Sequence, residues 1–283
     1  MAPLDRELLL SYVLKKPREY LFAHPERKLS ASQIKTYEKL TVRRAKGEPI
    51  AYLTGKKEFY GLEFSVNRNV LIPRPETELL VELVLKNIQD TKYKIRNTSI
   101  IDIGTGSGNI IIAIAKNIPE KMARNTKLFA IDISEKALEV ARANAKKHKV
   151  GKKIKFTQSN LLKFIYKNKL KENLIIIANL PYVSPKIYRE RKENLRFEPK
   201  KALISGKRGL EHYIRLIGEI REIVSIGKNK EVLILLEISP EQKKDILDIT
   251  QRFLPFSGVD FFQDLVGRWR AARISIYVDK KPL

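Results

Sequence analysis

Cysteine is missing from all 283 residues. That excludes a disulfide framework and any thiolate-built metal site. Histidine is nearly missing too: His24, His148 and His212 lie far apart, so no metal centre is expected. No run of about 18 apolar residues exists, which excludes a membrane-spanning helix. The first residues carry Asp5, Arg6 and Glu7 ahead of a leucine-rich stretch and lack a small-residue cleavage site. They do not read as a signal peptide, and the cytoplasm is the expected location. Acid is in short supply: 32 Asp and Glu stand against 56 Lys and Arg, a formal net charge of +24. Such a field favours anionic partners, nucleic acid first among them. Yet the eleven basic residues between positions 141 and 171, with no acid among them, fall on a helix face, a loop and a strand of the fold expected below. A lysine-rich solvated surface accounts for them equally well. The charge allows a nucleic-acid partner and does not require one.

What is present suits a globular chain with a core: 43% apolar and 8% aromatic residues. The length allows one large domain and a smaller one, and a monomer is expected. Residues 1–48 show apolar and charged residues at helical spacing, as in Leu8, Leu9 and Tyr12, then Ile34, Tyr37 and Leu40. Ser30 and Gln33 form a plausible capping pair for a helix from Ala31. Residues 49–76 turn Gly-punctuated and β-rich. The run from Phe59 to Val66, followed by Val70, Leu71 and Ile72, reads as a β-hairpin linker. From 77 to 283 helices and strands alternate. Strands are expected over 99–103, 128–132, 154–158, 174–178 and 232–238, with helices over 77–89, 109–116, 135–148, 212–226 and 240–253. The last two strands, 258–262 and 273–278, are joined too closely for a crossover and should pair antiparallel. The fold class is α/β: a doubly wound, mainly parallel seven-stranded sheet with a small helical N-terminal domain.

The first of these strands runs into Asp102-Ile-Gly104-Thr105-Gly106-Ser107-Gly108-Asn109 and then a helix. Glycines let the backbone pass close beneath a ligand at the carboxyl end of the strand. A pyrophosphate fingerprint would need its third glycine at Asn109, so a dinucleotide is not indicated. The next strand ends at Asp132, placed to accept two ribose hydroxyls. The third ends at Gln158-Ser159-Asn160-Leu161, where Asn160 can accept from an adenine amino group. The spacing D-x-G-x-G-x-G resembles the first motif of class I methyltransferases, which implies S-adenosylmethionine as cofactor.

The fourth strand runs into Asn179-Leu180-Pro181-Tyr182, close to the [D/N]-P-P-Y motif of methyltransferases acting on planar nitrogens: adenine N6, cytosine N4 and glutamine amide. The lone pair of such a nitrogen is delocalised, so it is a poor nucleophile. Two fixed acceptors, the Asn179 side-chain oxygen and the carbonyl of Leu180, can bind its N–H bonds and stabilise the charge that develops. Pro181 biases Leu180 away from the α region, and Tyr182 can lay its ring on a flat substrate group. At this point an RNA or DNA adenine N6-methyltransferase and a protein glutamine methyltransferase both fit. A third reading, an inactive release-factor or RNA-binding module, would need a degenerate site, and Asp102, Gly104, Asp132, Asn179 and Tyr182 are all in place.

The stretch from Arg44 through Gly47-Glu48-Pro49, Tyr52, Gly55, Phe59, Gly61 and Phe64 to Val66 resembles the linker hairpin of the PrmC/HemK family. So does Pro73-Arg74-Pro75-Glu76-Thr77-Glu78 after it. Downstream, Phe197-Glu198-Pro199, Gly209-Leu210, Tyr213, Leu236-Glu237-Ile238, Gln242, and Asp264-Leu265 with Gly267-Arg268 match as well. The resemblance implies N5-methylation of the glutamine in the Gly-Gly-Gln loop of class-1 peptide chain release factors. It also implies an N-terminal helical domain that helps dock them. Arg74 and Glu76 are candidates for substrate contact or for a salt bridge pinning the hairpin. Leu180 replaces the family's first proline, Asn160 its usual Asp, and the N-terminal domain begins late against the family pattern.

Overall fold

The computed structural model describes residues 2–89, 97–168, 170, 173–226 and 231–277. Four helices open the chain: α1 (Pro3–Leu14), α2 (Arg18–Ala23), α3 (Ala31–Ala45) and α4 (Ile50–Thr54). The capping pair of α3 is formed reciprocally. Ser30 N–H donates to Gln33 Oε1 at 2.9 Å, and Gln33 N–H donates to Ser30 Oγ at 3.3 Å. Leu9, Leu40 and Leu53 make a small interior, supplemented by ion pairs from Arg44 to Asp5 and Arg43 to Glu48, each at 2.8 Å.

Strands β1 (Lys56–Phe59) and β2 (Leu62–Ser65) form a tight hairpin. Its two turn residues, Tyr60 and Gly61, have φ of 52° and 68°, as a primed two-residue turn requires. Two expectations need correction here. Residues 70–72 form no strand: Val70 N–H donates to the Asn67 carbonyl at 3.2 Å, Ile72 N–H to the Glu198 carboxylate at 3.1 Å, and β1 is already paired by β2. Instead Val70 and Ile72 bury against Tyr52, Val66, Ala137 and Val140, and Tyr52 Oη donates to the Val70 carbonyl at 2.6 Å. The start of the stretch read as β-rich is α4, entered at Pro49 and closed by Gly55 in the left-handed region.

The main sheet holds β3 (Thr98–Ile103), β4 (Thr126–Asp132), β5 (Ile154–Gln158), β6 (Asn173–Ala178), β7 (Glu231–Glu237), β8 (Gly258–Gln263) and β9 (Trp269–Tyr277). Their order is β5-β4-β3-β6-β7-β9-β8, parallel from β5 to β7, with β9 antiparallel to both its neighbours. The closing antiparallel pair is as expected, and the last residue assigned to it, Val278, lies outside the described residues. Between the strands lie α5 (Glu78–Gln89), α6 (Asn109–Asn117), α7 (Glu120–Ala123), α8 (Glu135–Lys147), α9 (Lys163–Asn168), α10 (Pro185–Glu190), α11 (Lys192–Leu195), α12 (Glu211–Ser225) and α13 (Lys243–Phe253). The expected helix over 240–253 divides into a 3-10 turn, Pro240–Gln242, and α13.

Near-continuous isoleucine and leucine runs mark strands covered on both faces. Alternation then sorts their side chains. Ile101, Ile103, Ile176 and Ile234 join α9, α12 and α13 in one apolar layer. Ile100, Ile175, Ile177 and Leu235 join α5, α6 and the hairpin residues Phe59 and Phe64 in the other. The hairpin is thereby fastened to the sheet domain by burial of its two phenylalanines.

Candidate active site

From β3 the chain turns toward β4, and from the adjacent β6 it turns toward β7, so their loops leave in opposite directions and open a crevice at the carboxyl ends. The register pairs Ile103 with Ala178, which sends Gly104 and Asn179 out of the sheet side by side. A cavity of about 340 Å³ lies there. Its walls are the glycine turn, the end of β4, residues 159–161, residues 179–181, linker residues 68–74 with Thr77, residues 199–202, and His212.

Gly104 has φ 73°, and its N–H and that of Thr105 both donate to the Ile131 carbonyl, at 2.8 and 2.9 Å, tying the turn to the neighbouring strand. Asp132 finishes the tie: Oδ2 accepts from Gly106 N–H at 3.0 Å and Oδ1 from Ser134 N–H at 2.8 Å. Burial raises its carboxyl above the ordinary value, opposed by those backbone donors. Asp102 and Gly108 do not line the cavity. Asp102 is fully buried and accepts from Thr105 Oγ1 at 2.6 Å, while its other oxygen has no partner among the described residues. Burial pushes it up to about 7. Gly108 enters α6, where a Cβ would stand 2.9 Å from Ile112 Cδ1 and 3.2 Å from Ala141 Cβ. Its bareness lets α6 and α8 approach. Ser107 and Thr105 line the cavity, as do Asn160 and Leu161 beyond β5. Leu161 takes φ 51° while its side chain is buried, so the chain turns sharply there.

After β6, Asn179 Nδ2 donates to Thr77 Oγ1 at 3.1 Å, which occupies the amide nitrogen and leaves Oδ1 for a ligand. Leu180 and Pro181 line the cavity. Leu180 does more than present a carbonyl: its side chain is 5% exposed and packs over Gly104 as part of the apolar layer. Tyr182 lies beside the cavity and not in its wall, with its hydroxyl donating to Glu237 Oε1 at 3.3 Å. Burial and then Glu237 raise that phenol above its ordinary value.

Arg74 and Glu76 each face an ionic partner elsewhere in the chain, and not each other. Arg74 pairs with buried Glu198, whose other oxygen accepts from Ile72 N–H at 3.1 Å. Glu76 faces Arg270 at 3.9 Å. Glu198 belongs to the basic segment that follows Asn179–Tyr182, and it draws that segment against the linker. Arg196 donates to the Lys46 carbonyl at the end of α3 and stacks, with Arg68 of the linker, on Phe197. Sequence reasoning alone assigns no role to Thr77, Glu198 or Glu237. A charged residue ending the apolar run 232–236 was the available signal for Glu237. Among the described residues no group of three or more potential ligands could hold a metal ion, and no helix is long and apolar enough to cross a membrane.

A family model described as the PrmC N-terminal domain matches residues 1–55, and a methyltransferase domain model matches residues 94–247. The release factor glutamine methyltransferase of Dictyoglomus turgidum is 36% identical over 274 residues, covering 96% of this chain and 91% of that protein. That of Coxiella burnetii is 39% identical over 249 residues, 88% of this chain and 83% of the relative. A bifunctional methyltransferase of Rickettsia bellii is 35% identical over 298 residues, 96% of this chain but 51% of that longer protein. Among solved structures, the human Mettl16 catalytic domain in complex with a 3′UTR hairpin aligns with a TM-score of 0.57 at 15% identity, over 78% of each chain. That likeness shows a shared fold alone.

Proposed function

Since the chain belongs to the release factor glutamine methyltransferase family, we propose that it transfers a methyl group from S-adenosylmethionine to the side-chain amide nitrogen (N5) of the glutamine in the Gly-Gly-Gln loop of a class-1 peptide chain release factor. The observation that carries the reading is the setting of Asn179. Its Nδ2 is engaged by Thr77, while Oδ1 and the neighbouring Leu180 carbonyl remain as two acceptors beside the cavity.

The residues of the cavity suit the cofactor. The bare glycine turn leaves room for its methionine portion, Asp132 stands where ribose hydroxyls would be accepted, and Asn160 and Leu161 lie where the adenine would sit. Asp102, buried behind the turn, braces it by accepting from Thr105 Oγ1. When bound, S-adenosylmethionine supplies an electrophilic methyl on a sulfonium.

The remaining chemistry falls to this chain. A carboxamide nitrogen shares its lone pair with its carbonyl, so it needs alignment and charge stabilisation more than prior deprotonation. Asn179 Oδ1 and the Leu180 carbonyl would each accept one N–H, fixing the nitrogen in line and stabilising positive charge as it develops. The surplus proton leaves afterwards to solvent. Residues 186–208 carry nine basic residues against three acids, and 199–202 of them line the cavity, which supports steering of an acidic release-factor surface to this mouth. The N-terminal helices offer a second contact.

Labelled S-adenosylmethionine, given separately with a release factor and with ribosomal RNA, tests the assignment. Label is expected on the Gly-Gly-Gln glutamine, and Asn179→Ala should lower turnover about 100- to 1,000-fold with cofactor affinity kept. Label on RNA adenines and none on the glutamine would overturn the substrate assignment.

A further inference from the structure

Glu237 closes β7 as a carboxylate buried to 3% exposure, with no ion pair among the described residues. Instead, both of its oxygens are taken by hydroxyls. Thr77 Oγ1 donates to Oε2 at 2.6 Å, and Tyr182 Oη donates to Oε1 at 3.3 Å. Its main-chain carbonyl accepts from Tyr213 Oη at 2.5 Å, which holds the strand end in place. Each hydroxyl leads to the motif after β6: Thr77 to Asn179, and Tyr182 as a member of the motif itself. The motif's backbone is gripped as well, since a Cβ on Gly209 would stand 2.2 Å from the Tyr182 carbonyl and Gln242 Nε2 donates to the Gly209 carbonyl at 3.1 Å.

We propose that Glu237 is a positioning residue for methyl transfer. As a group that only accepts, it obliges Thr77 to donate to it and therefore to accept from Asn179, which turns Asn179 Oδ1 toward the substrate nitrogen. The inference rests on the assignment of Asn179 as the amide acceptor and deepens it. Hydrogen-bond direction decides the matter, because a threonine hydroxyl has a single proton. Given to Glu237, it cannot be given to Asn179, and only the Nδ2 end of the amide can then face Thr77. If Glu237 takes up a proton, it can donate to Thr77, and Thr77 can donate onward to Asn179 Oδ1. The amide then turns over and presents its N–H groups to the N–H groups of the substrate. An acceptor has become a donor at the reacting nitrogen, the reverse of what the developing charge needs.

The groups facing Glu237 are Glu76 and Thr77 from the end of the linker, Tyr182 from the loop after β6, Tyr213 from α12 and Arg270 from β9. Burial dominates and, with Glu76, outweighs the two hydroxyl bonds and Arg270, lifting the carboxyl to about 7. The acceptor form therefore becomes the main one only as pH rises through neutrality.

The test compares wild type, Thr77→Val, Thr77→Ser and Glu237→Gln as full-length proteins at saturating cofactor and acceptor. It measures kcat from about pH 5.5 to 9, with cofactor affinity measured by calorimetry. Thr77→Val should lower kcat about 100-fold with cofactor affinity within about threefold, and Thr77→Ser, which keeps the hydroxyl, should restore most of it. Wild-type kcat should fall on the acid side with a midpoint near 7, and Glu237→Gln should be slower and lack that limb. Full kcat in Thr77→Val overturns the relay, as does an unchanged acid limb in Glu237→Gln. Should Thr77→Val fail to fold, the Glu237→Gln pH profile decides alone. If wild type labels an RNA adenine and not the glutamine, the substrate reading falls, and the same four proteins are compared on that planar nitrogen.

Discussion

Among the N-terminal helices the buried apolar interior is Leu9, Leu40 and Leu53, whereas two apolar layers of more than twenty side chains each cover the faces of the sheet. The helices make up the difference with charge. Glu48, buried between α3 and α4, accepts from Arg43 and from Arg68 of the linker, each at 2.8 Å, and Asp5 of α1 accepts from Arg44 of α3. Apolar burial is non-directional and grows with area, so it makes a sheet domain that holds a site to fractions of an ångström. Ion pairs are few, local and, where their cations reach solvent, screened by salt. The two regions therefore differ in what holds them: broad apolar layers in the sheet domain, and a few charge latches among the N-terminal helices.

The largest effect should come from the sheet. Ile176→Ala, at 0% exposure in the centre of β6, should cost about 2–5 kcal/mol of global stability. Calorimetry should show one transition moved down, and a change below about 0.5 kcal/mol would mean that the layers are not the stiff element of the molecule. The latch is the next lever. Glu48→Gln should cost about 1–3 kcal/mol, less at high salt, and raise the Michaelis constant for a release factor while cofactor affinity stays constant. Its Arg43 hydrogen bond leads the effects that hold the Glu48 carboxyl down at about 2, against burial. A depressed carboxylate stabilises fully above its unfolded value and loses that contribution only as pH falls through its folded one. The Glu48→Gln deficit should thus persist from pH 8 to about 4.5 and fade from there towards 2. Equal hydrogen exchange of α3 in wild type and Glu48→Gln would remove the latch. The smallest effect belongs to exposed cations of the basic segment, which lie outside the lining of the cavity. Neutralising Arg189, Arg191 and Lys192 together should raise the release-factor Michaelis constant a few-fold at low salt, leave kcat unchanged, and shift stability by less than about 0.5 kcal/mol. A lower kcat at saturating substrate would assign these residues to the chemistry and not to steering.

Much of the architecture is legible in the chain's own spelling. The class I methyltransferase sheet, its closing antiparallel pair and the family itself follow from apolar runs, glycine spacing and the linker residues. The error at residues 70–72 is instructive. Val70, Leu71 and Ile72 have the texture of a strand, but the N–H groups of Val70 and Ile72 go to Asn67 and Glu198, and burial against Tyr52 serves the side chains of both. Glu237 shows the opposite failure. Its type and place are visible in the sequence, but nothing local says that its partner is Thr77, 160 residues earlier.

The sequence by itself determined what short-range chemistry can encode: the period of each element, the caps, the glycine turn, and the Asn-Leu-Pro-Tyr turn after β6. These depend on neighbours within a few positions along the chain, where propensity and sterics act directly. Only the tertiary structure decided which polar groups meet. Arg74 takes Glu198 and not Glu76, Asn179 hangs from Thr77, and Thr77 leans on Glu237. A buried hydrogen bond is set by atoms brought within 3 Å or so of one another in a low-dielectric interior. That proximity is a property of the packed layers as a whole, and no window of sequence contains it.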